Sequence, residues 1–112
     1  MRFAVRGLWM VFRAEQNFRI QLIVFIVALT VASFLPIRPW ELVALVLAGG
    51  AVLVLECINS AVERLLDLVQ PRLHGYVREI KDIMAGAVLI ASVGSLIIGV
   101  TIFLPYILRV AS

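Results

Sequence analysis

Glu56, Glu63 and Asp67 recur at helical spacing through one apolar stretch, with Asn59 beside them. At about 100° per residue the three acids share a narrow stripe, while Ile58, Val62, Leu65 and Leu66 turn to other faces. Glu56 stands at the edge of a long hydrophobic run. An acid at mid-membrane costs about 2.5 to 3.5 kcal/mol and less towards the interface, so an intramembrane carboxylate points to function. Carboxylates and an amide are hard oxygen donors of the kind Mg²⁺ takes, often together with phosphates. A carboxylate in partly apolar surroundings suits general-base work, and a nearby lysine would neutralise a transferring phosphate.

Two further segments bear on that stripe. Lys81 and Asp82 follow a short connector, directly across from Asp67. Glu15, Asn17 and Arg19 come from the amino-terminal segment, where an acid is an odd choice among so many arginines. Spacing alone leaves blander readings open. Glu63 and Asp67 could pair with Arg64, Arg72 or Arg78 as a solvated face. Lys81 and Asp82 could be a helix-start charge pattern, and His74 an interfacial side chain. Cys57 lies in an apolar stretch and reads as a small buried hydrophobe.

The elements that position these residues are membrane helices. Of 112 residues, 63% are hydrophobic and 15% charged, with a mean hydropathy of +1.11. That leaves too little polar material to cover a water-facing domain, and membrane insertion resolves the imbalance. We expect an all-α integral membrane protein of one domain over residues 1–112. Residues 1–21 mix Phe3, Leu8, Trp9 and Phe12 with Arg2, Arg6, Arg13 and Arg19, as suits an amphipathic interfacial helix. Three spans follow, at about 22–37, 40–69 and 82–109. Pro36 and Pro39 break the first from the second, and Gln70 and Pro71 end the second. Gly49 and Gly50, and on the third span Ala85, Gly86, Ala87, Ala91, Gly94 and Gly99, suit close helix packing.

Basic residues gather at the amino terminus and the second connector, while Arg38 and Arg109 stand alone on the other side. The positive-inside rule therefore puts the amino terminus and second connector in the cytoplasm. No cleavable signal peptide is expected, and scattered basic residues argue against nucleic-acid binding. Three helices can hardly surround several acids, which favours an oligomer without fixing its number.

At these residues the sequence resembles the small prokaryotic diacylglycerol kinases. The matching stretches run from Arg13 through Glu15 and Asn17 to Arg19, from Glu56 through Asn59 and Glu63 to Asp67, and from Lys81 and Asp82 to Val88. The middle stretch fits the family block E-x-x-N-[ST]-A-[IV]-E-x-x-x-D, and the combination covers nearly the whole chain in order. The resemblance implies an ATP-dependent, Mg²⁺-using lipid kinase of the bacterial inner membrane, acting as a homotrimer. It makes Glu56 the general base on the lipid hydroxyl. Glu15 and Glu63 become ligands of the metal on the nucleotide, and Asn59, Lys81 and Asp82 nucleotide-binding residues. The segment around Glu15 and the run from Ala85 to Val88 look more like the undecaprenol kinases than the diacylglycerol kinases. In the latter a Ser is common where Ala85 stands. The sequence departs from the family pattern at Ile80, where Ala is usual, and at Gly75, where the diacylglycerol enzymes carry an acid. A diacylglycerol kinase is the alternative, and a small ion-coupled transporter subunit with Glu56 as a relay is a non-enzymatic one.

Overall fold

The structure is a computed structural model that describes residues 1–70, 72 and 74–112. Four helices follow in order: α1 (Arg2–Ala14), α2 (Gln16–Ser33), α3 (Pro39–Asp67) and α4 (His74–Ala111). The last three are long and apolar enough to cross a membrane. At 1.5 Å per residue, the 18 residues of α2 span about 27 Å, close to a hydrocarbon core of about 30 Å. The molecule is a multi-pass membrane protein. Its many exposed side chains, such as Ile23, Val27, Leu47, Ile90 and Ile97, are apolar because lipid rather than water is their solvent.

The helix boundaries follow local chemistry. Between α1 and α2 the chain breaks at Glu15, which takes an extended conformation (φ −112°, ψ 111°). The Arg19 guanidinium donates to the carbonyls of Phe12 (2.8 Å) and Arg13 (3.0 Å). It satisfies acceptors that the end of α1 leaves open. The amphipathic segment therefore ends at residue 14, not near residue 21, and α2 begins at Gln16. On α1, Trp9 stacks on Phe12 with ring centroids 5.6 Å apart, and Arg2 and Arg6 lie over the Phe3 ring. Between α2 and α3 the helical path stops at Ser33, four residues before the expected 37, and resumes at Pro39. The stop expected at Pro71 lies outside the described residues.

α4 departs from the sequence expectation. It starts at His74, eight residues before the anticipated 82, and runs for 38 residues. Arg78, Glu79 and Lys81 are good helix formers, and Val77, only 1% exposed, anchors this segment to the rest of the fold. The helix also continues past Pro105 to Ala111.

α3 is the central helix and touches the other three. At the end of the bundle remote from the amino terminus, Ala32, Leu45 and Ile102 form the core, with Leu29, Ile98 and Phe103 packed against them. Beside that core sits a polar group the sequence did not reveal. Glu41 is buried and accepts from the Tyr106 hydroxyl (2.6 Å) and from the Arg38 backbone N–H (2.8 Å). Arg109 lies over the Tyr106 ring, 5.4 Å from its centroid. This bond ties the first turn of α3 to the last turns of α4. Tyr106→Phe leaves that buried carboxylate oxygen one donor short and should lower the melting temperature in detergent. Specific activity per folded molecule should stay unchanged, since the cluster lies at the opposite membrane boundary from Glu15.

The small residues divide. A Cβ at Gly49 would fall 2.2 Å from Cδ1 of Phe25, so this glycine does allow α2 and α3 to approach. Gly50, Gly86, Gly94 and Gly99 face open space within the chain.

Candidate active site

The buried face of α3 runs through Leu45, Val52, Glu56, Ser60 and Leu66. On this face two polar residues, Glu56 (5% exposed) and Ser60 (1% exposed), follow the apolar ones one helical turn apart. The Ser60 hydroxyl donates to Oε1 of Glu15, 3.3 Å away, and so brings the break between α1 and α2 against the carboxyl-terminal third of α3. Glu63 is half-buried one turn further on, where the Asn59 amide donates to its Oε1 at 3.5 Å. The charges that act on Glu56 are the carboxylates of Glu15 and Glu63. One protomer thus gathers Glu15, Glu56, Asn59 and Glu63 around Ser60.

Other expected residues stand apart. Asp67 shares the helical stripe but is exposed, at the last residue of α3. Asn17 is exposed at the start of α2. Lys81 is half-buried and Asp82 exposed, and neither is among the charges acting on Glu56. His74 lies in the first turn of α4, where it lines a surface recess with Arg72, Tyr76 and Glu79. Sequence reasoning missed Ser60 as a site residue. The available signal was its position four residues after Glu56, on the same helical face.

Three like charges gathered beside an apolar core are mutually repulsive, and a cation would relieve them. Among the described residues no three acid, His or Cys side chains lie close enough to enclose a metal ion by themselves. An ion here would have to draw the rest of its shell from water and substrate, as Mg²⁺ commonly does. The donor set of Glu15, Glu63 and Asn59 fits such an ion chemically. Glu56 is the member of this group nearest the apolar part of α3, one helical turn from Val52 on the same buried face.

The sequence profile of the family described as prokaryotic diacylglycerol kinase matches residues 2–103. The chain belongs to the prokaryotic diacylglycerol kinase family. It is 34% identical over 108 residues to a diacylglycerol kinase of Synechocystis sp., covering 96% of this chain and 62% of that protein. It is also 34% identical over 102 residues to an undecaprenol kinase of Bacillus subtilis, covering 91% of this chain and 83% of that one. The chain therefore spans just under two thirds of the Synechocystis relative. This is a family of lipid kinases, and its members named here differ in the alcohol they phosphorylate. Equal identity to both favours neither alcohol.

Proposed function

We propose that this protein transfers the γ-phosphate of ATP to the hydroxyl of a membrane lipid, undecaprenol in preference to diacylglycerol. The observation that carries the proposal is the hydrogen bond from Ser60 to Glu15, which brings an acid of a separate segment beside the stretch of α3 that bears Glu56 and Glu63. Phosphoryl transfer is mostly positioning and charge neutralisation, and these residues supply both. Glu56 accepts the proton of the lipid hydroxyl as it attacks. Glu15 and Glu63 would hold the Mg²⁺ that accompanies the nucleotide, with Ser60 orienting Glu15 and Asn59 orienting Glu63. Bound there, the metal would neutralise charge on the phosphates. Lys81 contacts the phosphates of ATP and Asp82 belongs to the nucleotide pocket.

The arginines of α1 and the basic residues around residues 72–81 put this end of the bundle at the cytoplasmic face, where ATP is available. α1 lies in the interface as an amphipathic helix. A homotrimer completes the site. One feature supports it: the glycine-bearing face of α4 at Gly86 and Gly94 is open.

A side-by-side assay tests the substrate. Purified protein in lipid, given Mg²⁺, ATP and equal mole fractions of the two alcohols, should phosphorylate undecaprenol with the higher kcat/KM. A higher value for diacylglycerol reverses the assignment, and no phosphorylated lipid from either removes it.

A further inference from the structure

At the end of the bundle remote from the amino terminus stand two exposed arginines, Arg38 just before α3 and Arg109 in the last turn of α4. Glu41 and Tyr106 bring them to one place. The Arg38 backbone N–H donates to Oε1 of Glu41 at 2.8 Å, and the Tyr106 hydroxyl donates to the same oxygen at 2.6 Å. The Arg109 guanidinium lies over the Tyr106 ring, 5.4 Å from its centroid. Both guanidinium charges act on Glu41 and on Tyr106. A buried carboxylate beside two arginines would ordinarily accept a bidentate pair of N–H bonds from one of them. Among the described residues its donors are instead a phenol and a backbone amide, and neither guanidinium is one of them. Glu41 therefore offsets part of the local charge without using up either fork, and each fork carries five N–H donors.

We propose that Arg38 and Arg109 together bind the phosphate of an anionic phospholipid in the leaflet at this end of the bundle. The charge fits. Among the described residues the charged side chains here are Arg38, Glu41 and Arg109, which leave one net positive charge, and a phosphodiester carries one negative charge. Two planar forks match phosphate oxygens, whereas the ammonium of a zwitterionic headgroup is repelled by the same pair. The level fits too. Trp40, 61% exposed, and Tyr106 are aromatic residues of the kind that sits among headgroups. Phe34, Leu108 and Val110, on the same two segments, are exposed and apolar, so acyl chains find contact beside the arginines. A free anion would use only the forks; a phospholipid uses the whole surface. The usual bias against basic residues on this side of the membrane works against such a pair, and a bound phosphate offsets it. The site is remote from Glu15 and serves the seating of α3 against α4, not phosphoryl transfer.

The chain has two tryptophans, and Trp9→Phe leaves Trp40 as the sole fluorescent reporter, two residues from Arg38. The full chain with that change is reconstituted in phosphatidylcholine, and Trp40 is quenched with brominated phosphatidylglycerol or brominated phosphatidylcholine. Quenching should report a preference of about tenfold for phosphatidylglycerol, as two charge-assisted contacts to one phosphate allow. Arg38→Gln and Arg109→Gln should each weaken the preference, and the two together should abolish it. Both side chains are exposed, so the variants should fold, which the melting temperature checks. Arg2→Gln with Arg6→Gln, at the other end of the molecule, should leave the preference unchanged. Inorganic phosphate in excess should not displace the lipid. Equal quenching by the two lipids overturns the site before any arginine is replaced. A preference that survives loss of both Arg38 and Arg109, or that falls equally with Arg2 and Arg6, overturns it by assigning the selectivity to the overall charge of the protein. Displacement by inorganic phosphate overturns the assignment to a lipid.

Discussion

Glu56→Gln should reduce kcat by about a thousandfold or more. A positioned general base contributes roughly 10² to 10⁴ in rate, and glutamine keeps the shape of the side chain but cannot accept the proton. The fold should tolerate the change well. Glu56 is almost fully buried, and the charges that act on it are two further carboxylates, so removing its charge relieves repulsion. The melting temperature should therefore hold or rise, and Mg²⁺-dependent ATP binding should persist. Loss of turnover with intact ATP binding separates the chemical role of Glu56 from a structural one. Turnover near the wild-type level in a folded variant would remove it as the base and leave the buried carboxylate to be explained as a proton or cation relay.

Glu15→Gln and Glu63→Gln should act on the metal requirement instead. Each replaces an anionic oxygen donor by a neutral amide, and each should raise the Mg²⁺ concentration for half-maximal activity by about a hundredfold. Titration of activity with Mg²⁺ at saturating ATP and lipid measures this directly. Ser60→Ala should give a smaller shift of the same kind, about tenfold. The hydroxyl touches Glu15 at 3.3 Å and orients a ligand without being one, and such supporting contacts are worth 10- to 100-fold in metal affinity. Mn²⁺, which accepts the same oxygen donors, should partly rescue all three variants. If the Glu15 and Glu63 variants keep the wild-type Mg²⁺ dependence and lose activity only through folding, the carboxylate group has no part in holding the metal.

Much of this protein was legible in the linear chain. Hydrophobic length marks the three spans, because a bilayer demands about 20 apolar residues in a row wherever a helix crosses it. The break between α2 and α3 is equally local: Pro36 and Pro39 cannot both sit inside one helix. Within α3, the period of 3.6 aligns Glu56, Asn59 and Glu63, and the family pattern rests on that alignment. None of these inferences needs a partner element.

Tertiary structure decided the remainder, and in each case the reason is that a helical period shows which residues share a face but not what covers that face. Glu15 and Ser60 lie 45 positions apart, and only the kink at Glu15 brings them together. Asp67 has the same helical phase as Glu63 yet is exposed. Glu41 and Tyr106, 65 positions apart, are joined only by the packing of α3 against α4. Gly49 and Gly50 are neighbours of identical type, and rotation of α3 alone gives the first to Phe25 and leaves the second open. The types of the reacting groups were written in the order of residues. Their surroundings came from how three helices turn about their axes to meet.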